Sequence, residues 1–275
     1  MSRPPLTDLL RQRYGANDRP GKVAWNATLE LLLNHRSVRA YSNERLPDGT
    51  LTALVAAAQS AATSSNLQTW SVVAVEDAER KARLSLLADD QEHIRTAPLF
   101  LVWLADLSRL ARVAEQVGLP ALGLDYTELL LVAVIDAALA AQNAVLMAES
   151  LGLGTVYIGS MRNRPLDVAA ELALPSRVLP VFGLCVGWPD PSSPTAVKPR
   201  LPQAAVLHHE RYHPEAEPSA VERYNAAMAA FYQEQRMKVK GSWATHSAKR
   251  VAGPESLSGR DKLREALQQL GFLLQ

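Results

Sequence analysis

The strongest constraint on the fold is a long helix, predicted from Asp125 to Leu151, that is apolar on every side between Leu129 and Ala141. A helix without a polar face has to be covered by other parts of a protein or by lipid. Crossing a bilayer takes about 20 predominantly apolar residues, and Asp136, Gln142 and Asn143 interrupt this stretch. The segment is therefore predicted to be a core or interface helix and not a membrane span.

Around this helix the sequence predicts four strand-like runs separated by shorter helices. The runs are 71–75, 99–104, 156–158 and 181–187, and the shorter helices are 26–34, 51–58, 77–88, 166–172, 220–233 and 260–270. Asn26 and Asp77 are predicted to cap the first and the third of these helices. Prolines and glycines predict an extended arm over residues 1–24 and an irregular connection over 111–124. Gly152 and Gly154 follow a helix and precede a strand, the reverse of the order that a dinucleotide-binding loop requires.

Composition excludes several classes of function. The net charge is +1, too balanced for a nucleic-acid partner that depends on a broad positive field. The single cysteine, Cys185, lies in an apolar run and is interpreted as an inert buried thiol. Residues 1–24 lack the apolar region of a secretory signal, so a cytoplasmic protein is expected. The histidines near Pro214 (His208, His209 and His213) are interpreted as a solvated loop, so no metal site is predicted.

Three segments carry groups that favour anions. His35-Arg36-Ser37-Val38-Arg39 follows a helix, Thr63-Ser64-Ser65 precedes a strand, and Lys198-Pro199-Arg200-Leu201-Pro202 lies in an extended loop. Guanidinium groups match phosphate oxygens, so these cations can hold the terminal phosphate of a small cofactor, and the hydroxyls can serve a polyol or a ring edge. The alternatives that remain open from chemistry alone are a basic helix end and ordinary helix capping.

Together these segments resemble the nitroreductase-type flavoprotein family, in particular its NADPH-dependent, oxygen-insensitive branch. The resemblance extends over residues 29–275. It implies an α+β fold with a central, mostly antiparallel sheet flanked by helices, in a homodimer whose C-terminal segments wrap the partner subunit. The domain organisation that follows is an N-terminal extension at 1–24, a flavin-binding core at 25–188 and a C-terminal extension at 189–275.

The resemblance names FMN as the cofactor and assigns its contacts position by position. The assigned parts are a phosphate and ribityl segment, a serine-rich loop, a glutamine that contacts the flavin, a segment facing the ring and a second phosphate clamp. In chain order their residues are His35, Arg36, Ser37, Arg39, Thr63, Ser64, Ser65, Gln91, Tyr157, Ile158, Gly159, Ser160, Lys198 and Arg200. Two positions depart from close relatives, which often have Gly-Gly where this chain has Asp89-Asp90 and again where it has Gly159-Ser160.

The implied activity is a ping-pong transfer of two electrons from NADPH through FMN to nitroaromatics, quinones or related electrophiles. Arg236 and Arg260 fall on positions implicated in binding the nucleotide. The chemistry resides on the flavin, so no catalytic side chain is predicted. Two alternatives remain open, namely a flavin reductase that supplies reduced FMN to a partner and a flavin-binding protein without catalysis.

Overall fold

The structure is a computed structural model that describes residues 6–18 and 20–275. Within these residues the chain forms eleven α-helices and four strands, here named in chain order: α1 Leu6–Tyr14, α2 Ala27–Leu33, α3 Thr50–Gln59, β1 Trp70–Val75, α4 Ala78–Leu87, α5 Glu92–Thr96, β2 Leu99–Asp106, α6 Ser108–Gln116, α7 Thr127–Ser150, β3 Gly154–Ile158, α8 Pro165–Glu171, β4 Val178–Gly187, α9 Glu217–Glu234, α10 Trp243–Arg250 and α11 Leu263–Gln269.

Contacts divide the described residues into two units. The large unit comprises Ser37–Pro194 and Leu257–Gln275, and the small unit comprises the residues up to Arg36 together with Thr195–Ser256. The large unit contains the sheet and the long helix, whereas the small unit is built from α1, α2, α9 and α10. The boundaries expected from sequence, after residues 24 and 188, delimit a flavin-binding core and stay a prediction.

The sheet of the large unit has the strand order β1-β2-β4-β3, and each neighbouring pair is antiparallel. Every residue of β2 is buried because successive side chains point to opposite faces and helices cover both. Phe100 and Val102 belong to a cluster that includes residues of α4 and α8, whereas Leu101 and Trp103 join residues of α3 and α7. The predicted α+β fold with an antiparallel sheet is confirmed.

Helix α7 is the predicted long helix. Among the described helices of 18 residues or more, it alone is apolar and long enough to cross a membrane. However, it packs against α3 and β2, and ten of its residues, including Asp136, are buried. It is therefore a core helix, as predicted. Gly152 ends it with a φ of 82°, and Gly154 lacks a side chain because a Cβ there would lie 2.6 Å from a Val38 methyl group.

The predicted extended arm over residues 1–24 is wrong for Leu6–Tyr14, which form α1. Leu9 and Leu10 pack against Leu33 of α2, so an apolar face stabilises a helix that its neighbouring prolines and glycines argued against. Gly15, with a φ of 81°, follows the last helical residue and does not interrupt the helix. The rest of the arm within 1–5 and at Arg19 lies outside the described residues.

The predicted irregular connection over 111–124 is wrong in its first part, which belongs to α6. The carboxylate of Asp106 accepts hydrogen bonds from the N–H groups of Ser108 (3.0 Å) and Arg109 (3.3 Å), so the last residue of β2 starts the next helix. Helix α10 was not predicted. Its cap is Ser242, whose hydroxyl accepts from the Thr245 N–H at 3.2 Å.

Candidate functional site

Two of the predicted phosphate ligands follow α2 in the small unit. The side chain of Asn26 caps this helix by accepting from the Leu29 N–H at 2.8 Å, as predicted. Helix α2 ends at Leu33, so His35 and Arg36 lie just beyond its last turn. His35 is half-buried and Arg36 is exposed. The guanidinium of Arg36 donates to the Asn34 carbonyl at 3.2 Å, which uses one of its donors and leaves the others for a ligand.

The second predicted clamp, Lys198 to Arg200, is also in the small unit. Pro199 is buried and its carbonyl accepts a hydrogen bond from the Tyr224 hydroxyl at 3.1 Å. Lys198 and Arg200, on either side, expose their side chains. Burial raises the pKa of Tyr224 and the nearby Arg200 lowers it, with a net increase, so this hydroxyl stays protonated and keeps donating. The Arg200 guanidinium also donates to the carbonyls of Lys198 and Pro199, each at 3.3 Å. The main chain of the segment is therefore anchored while its two cationic side chains remain exposed.

One residue that sequence reasoning did not select joins these two segments. The guanidinium of Arg13, in α1, donates to the carbonyls of Leu33 (2.8 Å), His35 (2.8 Å) and Lys198 (3.0 Å). The Arg200 N–H in turn donates to the Arg13 carbonyl at 2.8 Å. No motif marks this arginine in the sequence, because it lies in the segment predicted to be an extended arm.

Ser37 and Arg39, the other two candidate ligands in the segment His35–Arg39, belong to the large unit. Between them Val38 is buried, and its N–H donates to the Thr155 carbonyl of β3 at 2.9 Å. Ser37 forms a parallel bridge with Thr155, so the segment extends the edge of the sheet. Because side chains alternate along an extended segment, Ser37 and Arg39 lie on the same, exposed side.

His93 is a second residue that the sequence did not indicate. Burial lowers its pKa, and the nearby Arg39 lowers it further. Its Nε2 atom is buried and finds no hydrogen-bond partner among the described residues. Both causes disfavour the protonated imidazole, so His93 does not add to the positive charge of Arg39.

The serine-rich loop is fixed by Asp136 of α7, a carboxylate with an exposed fraction of 1%. Its oxygens accept from the N–H of Ser64 (3.1 Å) and from both the N–H (3.0 Å) and the hydroxyl (2.9 Å) of Thr69. Three loop residues (Ser65, Asn66 and Gln68) have positive φ values of 48°, 55° and 52°. The hydrogen bonds to Asp136 stabilise this uncommon backbone, which leaves the side chains of Ser64 and Ser65 exposed.

Gln91 and Ser160 contact each other directly. The Gln91 amide nitrogen donates to the Ala88 carbonyl at 2.9 Å and to the Ser160 hydroxyl at 2.6 Å. Because the Ala88 carbonyl can only accept a hydrogen bond, the Gln91 side-chain atom that contacts it has to be the amide nitrogen. Both amide hydrogens are thus used inside the protein. Gln91 can therefore meet a ligand only through its oxygen, as a hydrogen-bond acceptor.

Asp89 and Asp90 have left-handed backbones, with φ values of 62° and 53°. Glycine adopts this conformation without strain, which fits the Gly-Gly that the family resemblance leads us to expect at these two positions. The Asp89 carboxylate accepts from the Asn163 amide at 2.7 Å, and Asn163 accepts from Nε of Arg260 at 2.7 Å. Asp90 pairs with Arg95. Arg260 is thereby oriented through Nε, and its two terminal nitrogens make no hydrogen bond that the described residues account for.

Tyr157 and Ile158 are the last residues of β3, an edge strand of the sheet, and Gly159 and Ser160 begin a short 3-10 helix. Ile158 is buried, whereas Tyr157 is partly exposed and packs edge-on against Phe182 at 5.2 Å. Burial raises the pKa of Tyr157, so its hydroxyl stays neutral. Arg236, the other predicted nucleotide ligand, is exposed just after α9 in the small unit and has a φ of 51°.

A cavity of about 970 Å³ lies within the small unit, between α1, α9 and the residues around Thr195. Arg36 and Pro199 are part of its wall, but Lys198 and Arg200 are not. Its lining mixes cations and carboxylates with alanines, a composition that selects no ligand charge. The predicted phosphate clamp is thus defined by its exposed cations and not by this cavity.

Comparisons with known proteins match almost the whole chain after α1. The profile described as "Nitroreductase family" matches residues 32–188, and "Nitroreductase family, C-terminal domain" matches residues 198–275. The FMN reductase (NADPH) of Bacillus subtilis is 41% identical over 213 residues, covering 76% of this chain and 84% of that protein. The oxygen-insensitive NADPH nitroreductase of Salmonella typhimurium is 39% identical over 220 residues, covering 80% and 88%. The solved structure of the NADPH:FMN oxidoreductase from Vibrio harveyi complexed with NAD+ superposes with a TM-score of 0.80 at 33% identity, covering 91% of this chain and 100% of that chain.

Proposed function

The chain belongs to the nitroreductase family, and from that premise we propose that it is an FMN-dependent oxidoreductase that passes two electrons from NADPH to nitroaromatics, quinones or related electrophiles. The observation that carries the proposal is a set of exposed cations, Arg36, Arg39, Lys198 and Arg200, on segments whose main chains are anchored. Exposed arginines on a fixed backbone are suited to an anionic ligand, because the backbone loses little conformational entropy on binding.

The donors and acceptors present fit FMN part by part. Its phosphate needs several charge-assisted donors, which the arginines and Lys198 provide. Its polyol chain needs hydroxyl partners, which Ser64 and Ser65 expose. Its ring carries an imide N–H that needs an acceptor, and Gln91 presents only its oxygen. The residues of the chain therefore supply complementary groups to each part of the cofactor.

The family resemblance assigns each of these contacts, and we retain that assignment as the proposal. The residues assigned to FMN are His35, Arg36, Ser37, Arg39, Thr63, Ser64, Ser65, Gln91, Tyr157, Ile158, Gly159, Ser160, Lys198 and Arg200. Bound FMN supplies the hydride chemistry, and the protein binds it, orients it and sets the charge around it. NADPH and the acceptor use the site in turn, which is the ping-pong order.

NADPH differs from NADH by a 2′-phosphate, for which Arg236 and Arg260 are the proposed partners. Support for Arg260 is its orientation by Asn163, which leaves its terminal nitrogens as donors. Support for Arg236 is its exposure. The names of the Bacillus subtilis and Salmonella typhimurium relatives both specify NADPH.

The protein is proposed to be a homodimer. Leu131, Ile135 and Leu139, four residues apart on α7, have exposed fractions of 54%, 56% and 44%. Apolar residues at this spacing form one stripe of the helix, and a second copy of the chain would remove it from water. Sedimentation equilibrium should give twice the mass of one chain, and Ile135→Arg should shift it towards one chain, whereas Glu115→Lys, at an exposed position on α6, should leave it unchanged. A monomeric parent protein would contradict the proposal.

The cytoplasm is the proposed location. Cys185, the single cysteine of the sequence, is fully buried and cannot form an intramolecular disulfide. Burial raises the pKa of this thiol well above its usual value, so it is an inert core residue, as the sequence predicts. A protein of this kind gains nothing from an oxidising compartment.

The acceptor decides between the proposed oxidoreductase and a flavin reductase, a second candidate that the name of the Bacillus subtilis relative favours. We expect the purified protein to be yellow with FMN and to oxidise NADPH with a nitroaromatic or a quinone. Steady-state NADPH oxidation with these acceptors, compared with free FMN as the acceptor, measures the preference. A protein that does not bind FMN at micromolar concentration would overturn both candidates, and one that binds FMN but oxidises no NADPH would be a binding protein.

A further inference from the structure

Arg13 is a buried cation that lies outside the residues matched by the two family profiles, which begin at residue 32. Only 6% of its surface is exposed. It belongs to α1, whose leucines pack against Leu33 and so bring the helix next to the end of α2. The position of Arg13 is therefore set by apolar packing and does not depend on a ligand.

The hydrogen bonds of Arg13 connect the two small-unit segments proposed to hold the FMN phosphate. One terminal nitrogen donates to the carbonyls of Leu33 and His35, each at 2.8 Å, and the other donates to the Lys198 carbonyl at 3.0 Å. The main chain adds a fourth hydrogen bond, from the Arg200 N–H to the Arg13 carbonyl at 2.8 Å. One residue thus bonds to His35, Lys198 and Arg200.

These hydrogen bonds go to main-chain atoms and leave the side chains of Lys198 and Arg200 exposed. The Leu33 carbonyl is one of the last of α2 and has no partner in the following turn of a helix, so a cation is a favourable donor there. The guanidinium fork has its donors in fixed directions, which determines the separation of the carbonyls it joins. A lysine in its place would keep the charge but not the fork.

We propose that Arg13 is a positioning residue for the cofactor phosphate, which fixes the His35 and Lys198–Arg200 segments at the spacing that the phosphate requires before it binds. The inference rests on the proposed function, since it assigns the phosphate to these segments. Arg13 does not touch the phosphate in this role. It holds the two segments in place beforehand, so less conformational entropy is lost when the phosphate binds.

The competing interpretation is that Arg13 only stabilises the small unit. The two roles differ in what they do to riboflavin, which is FMN without its phosphate. A phosphate-positioning role affects the affinity for FMN and leaves that for riboflavin unchanged. A purely structural role lowers both affinities or neither. The melting temperature of the flavin-free chain can fall under either role, so the comparison of the two flavins decides.

The test is equilibrium binding of FMN and of riboflavin to the full-length chain, followed by flavin fluorescence, together with the melting temperature of the flavin-free chain. The variants are Arg13→Gln, which removes the charge and the fork, and Arg13→Lys, which keeps the charge alone. Arg11→Gln, an exposed arginine on the same helix, is the matched control. If Arg13→Gln does not fold, Arg13→Lys alone gives the same comparison.

We expect the Kd for FMN to rise about tenfold in Arg13→Gln and less in Arg13→Lys, with riboflavin binding close to the parent value. The melting temperature of the flavin-free chain should fall in Arg13→Gln, because three carbonyls lose their donor. Arg11→Gln should match the parent for both flavins. Equal losses for FMN and riboflavin, or an unchanged Kd for FMN, would overturn the role of Arg13 while the proposed function stands. A parent chain that binds no FMN would instead overturn the proposed function and this inference with it.

Discussion

The two units position their candidate ligand groups in different ways. In the large unit, the side chains of Gln91 and Arg260 are oriented by other side chains, through the Gln91–Ser160 contact and the row from Asp89 through Asn163 to Arg260. In the small unit, side chains such as Arg13 and Tyr224 bond to main-chain carbonyls instead. The first arrangement fixes the ligand group itself, whereas the second fixes the backbone and leaves the cation exposed.

This difference fits what each group has to bind. The direction of an amide or a hydroxyl matters, because a hydrogen bond weakens steeply when it is misaligned. The charge of an exposed arginine acts over a wider range of directions, so a fixed backbone is sufficient to place it. The comparison therefore predicts that changes to residues that orient other groups affect stability or selectivity, and that changes to exposed cations, in either unit, affect binding alone.

The largest effect on stability is expected at Asp136. Asp136→Ala should lower the free energy of unfolding by about 3 kcal/mol, because each buried donor left without a partner costs about 1–3 kcal/mol. Urea denaturation measures it. Glu128→Ala, an exposed carboxylate at the start of the same helix, is the control and should stay within about 0.5 kcal/mol. An Asp136→Ala protein as stable as the parent would show that the loop does not depend on this carboxylate.

Exposed cations should give the largest effect on binding without an effect on stability. Arg39→Ala and Arg200→Ala should each weaken FMN binding by about one to two orders of magnitude, from the loss of about 1.5–3 kcal/mol of charge-assisted bonding. Fluorescence titration measures the Kd, with Lys249→Ala, another exposed cation, as the control. If both arginine variants bind FMN like the parent, the phosphate is not held by these residues.

Arg260 and Arg236, the two arginines proposed to bind the 2′-phosphate of NADPH, belong to the large and the small unit respectively. Their variants therefore test the comparison between the units with one ligand. Arg260→Ala should raise the KM for NADPH by about tenfold, the equivalent of about 1.4 kcal/mol, and Arg236→Ala by less, because Asn163 orients only Arg260. The kcat and the use of NADH should hardly change, since the contact is remote from the hydride. Steady-state kinetics with both nucleotides decides, and Lys238→Ala is the control. Equal losses for NADH and NADPH would exclude recognition of the 2′-phosphate.

The smallest effect is expected at Ser160. Ser160→Ala removes one acceptor from the Gln91 amide, which keeps its hydrogen bond to Ala88. The free energy of unfolding should fall by about 1 kcal/mol, as measured by urea denaturation against Ser150→Ala, whose hydroxyl is exposed. A loss as large as that of Asp136→Ala would contradict the view that this contact orients Gln91 and does not support the fold.

Much of the fold was predictable because its elements carry local signals. The four strands, the long helix α7 and the caps at Asn26 and Asp77 are confirmed within a few residues. The wrong predictions, α1 and the first part of the 111–124 connection, share one cause. Their stability comes from contacts distant in sequence or from a cap on the preceding strand, which local turn residues do not report.

The sequence by itself determined the chemistry of the candidate site, since the cations, hydroxyls and glutamine that fit FMN stand in recognisable motifs. Only the tertiary structure identified the residues that position them, Arg13 and Asp136, and the direction of the Gln91 amide. The reason is physical. Ligand groups are clustered along the chain, but their partners are 20 to 185 residues away for Arg13 and 67 or 72 for Asp136. Hydrogen bonds over such separations depend on packing, which no local pattern encodes.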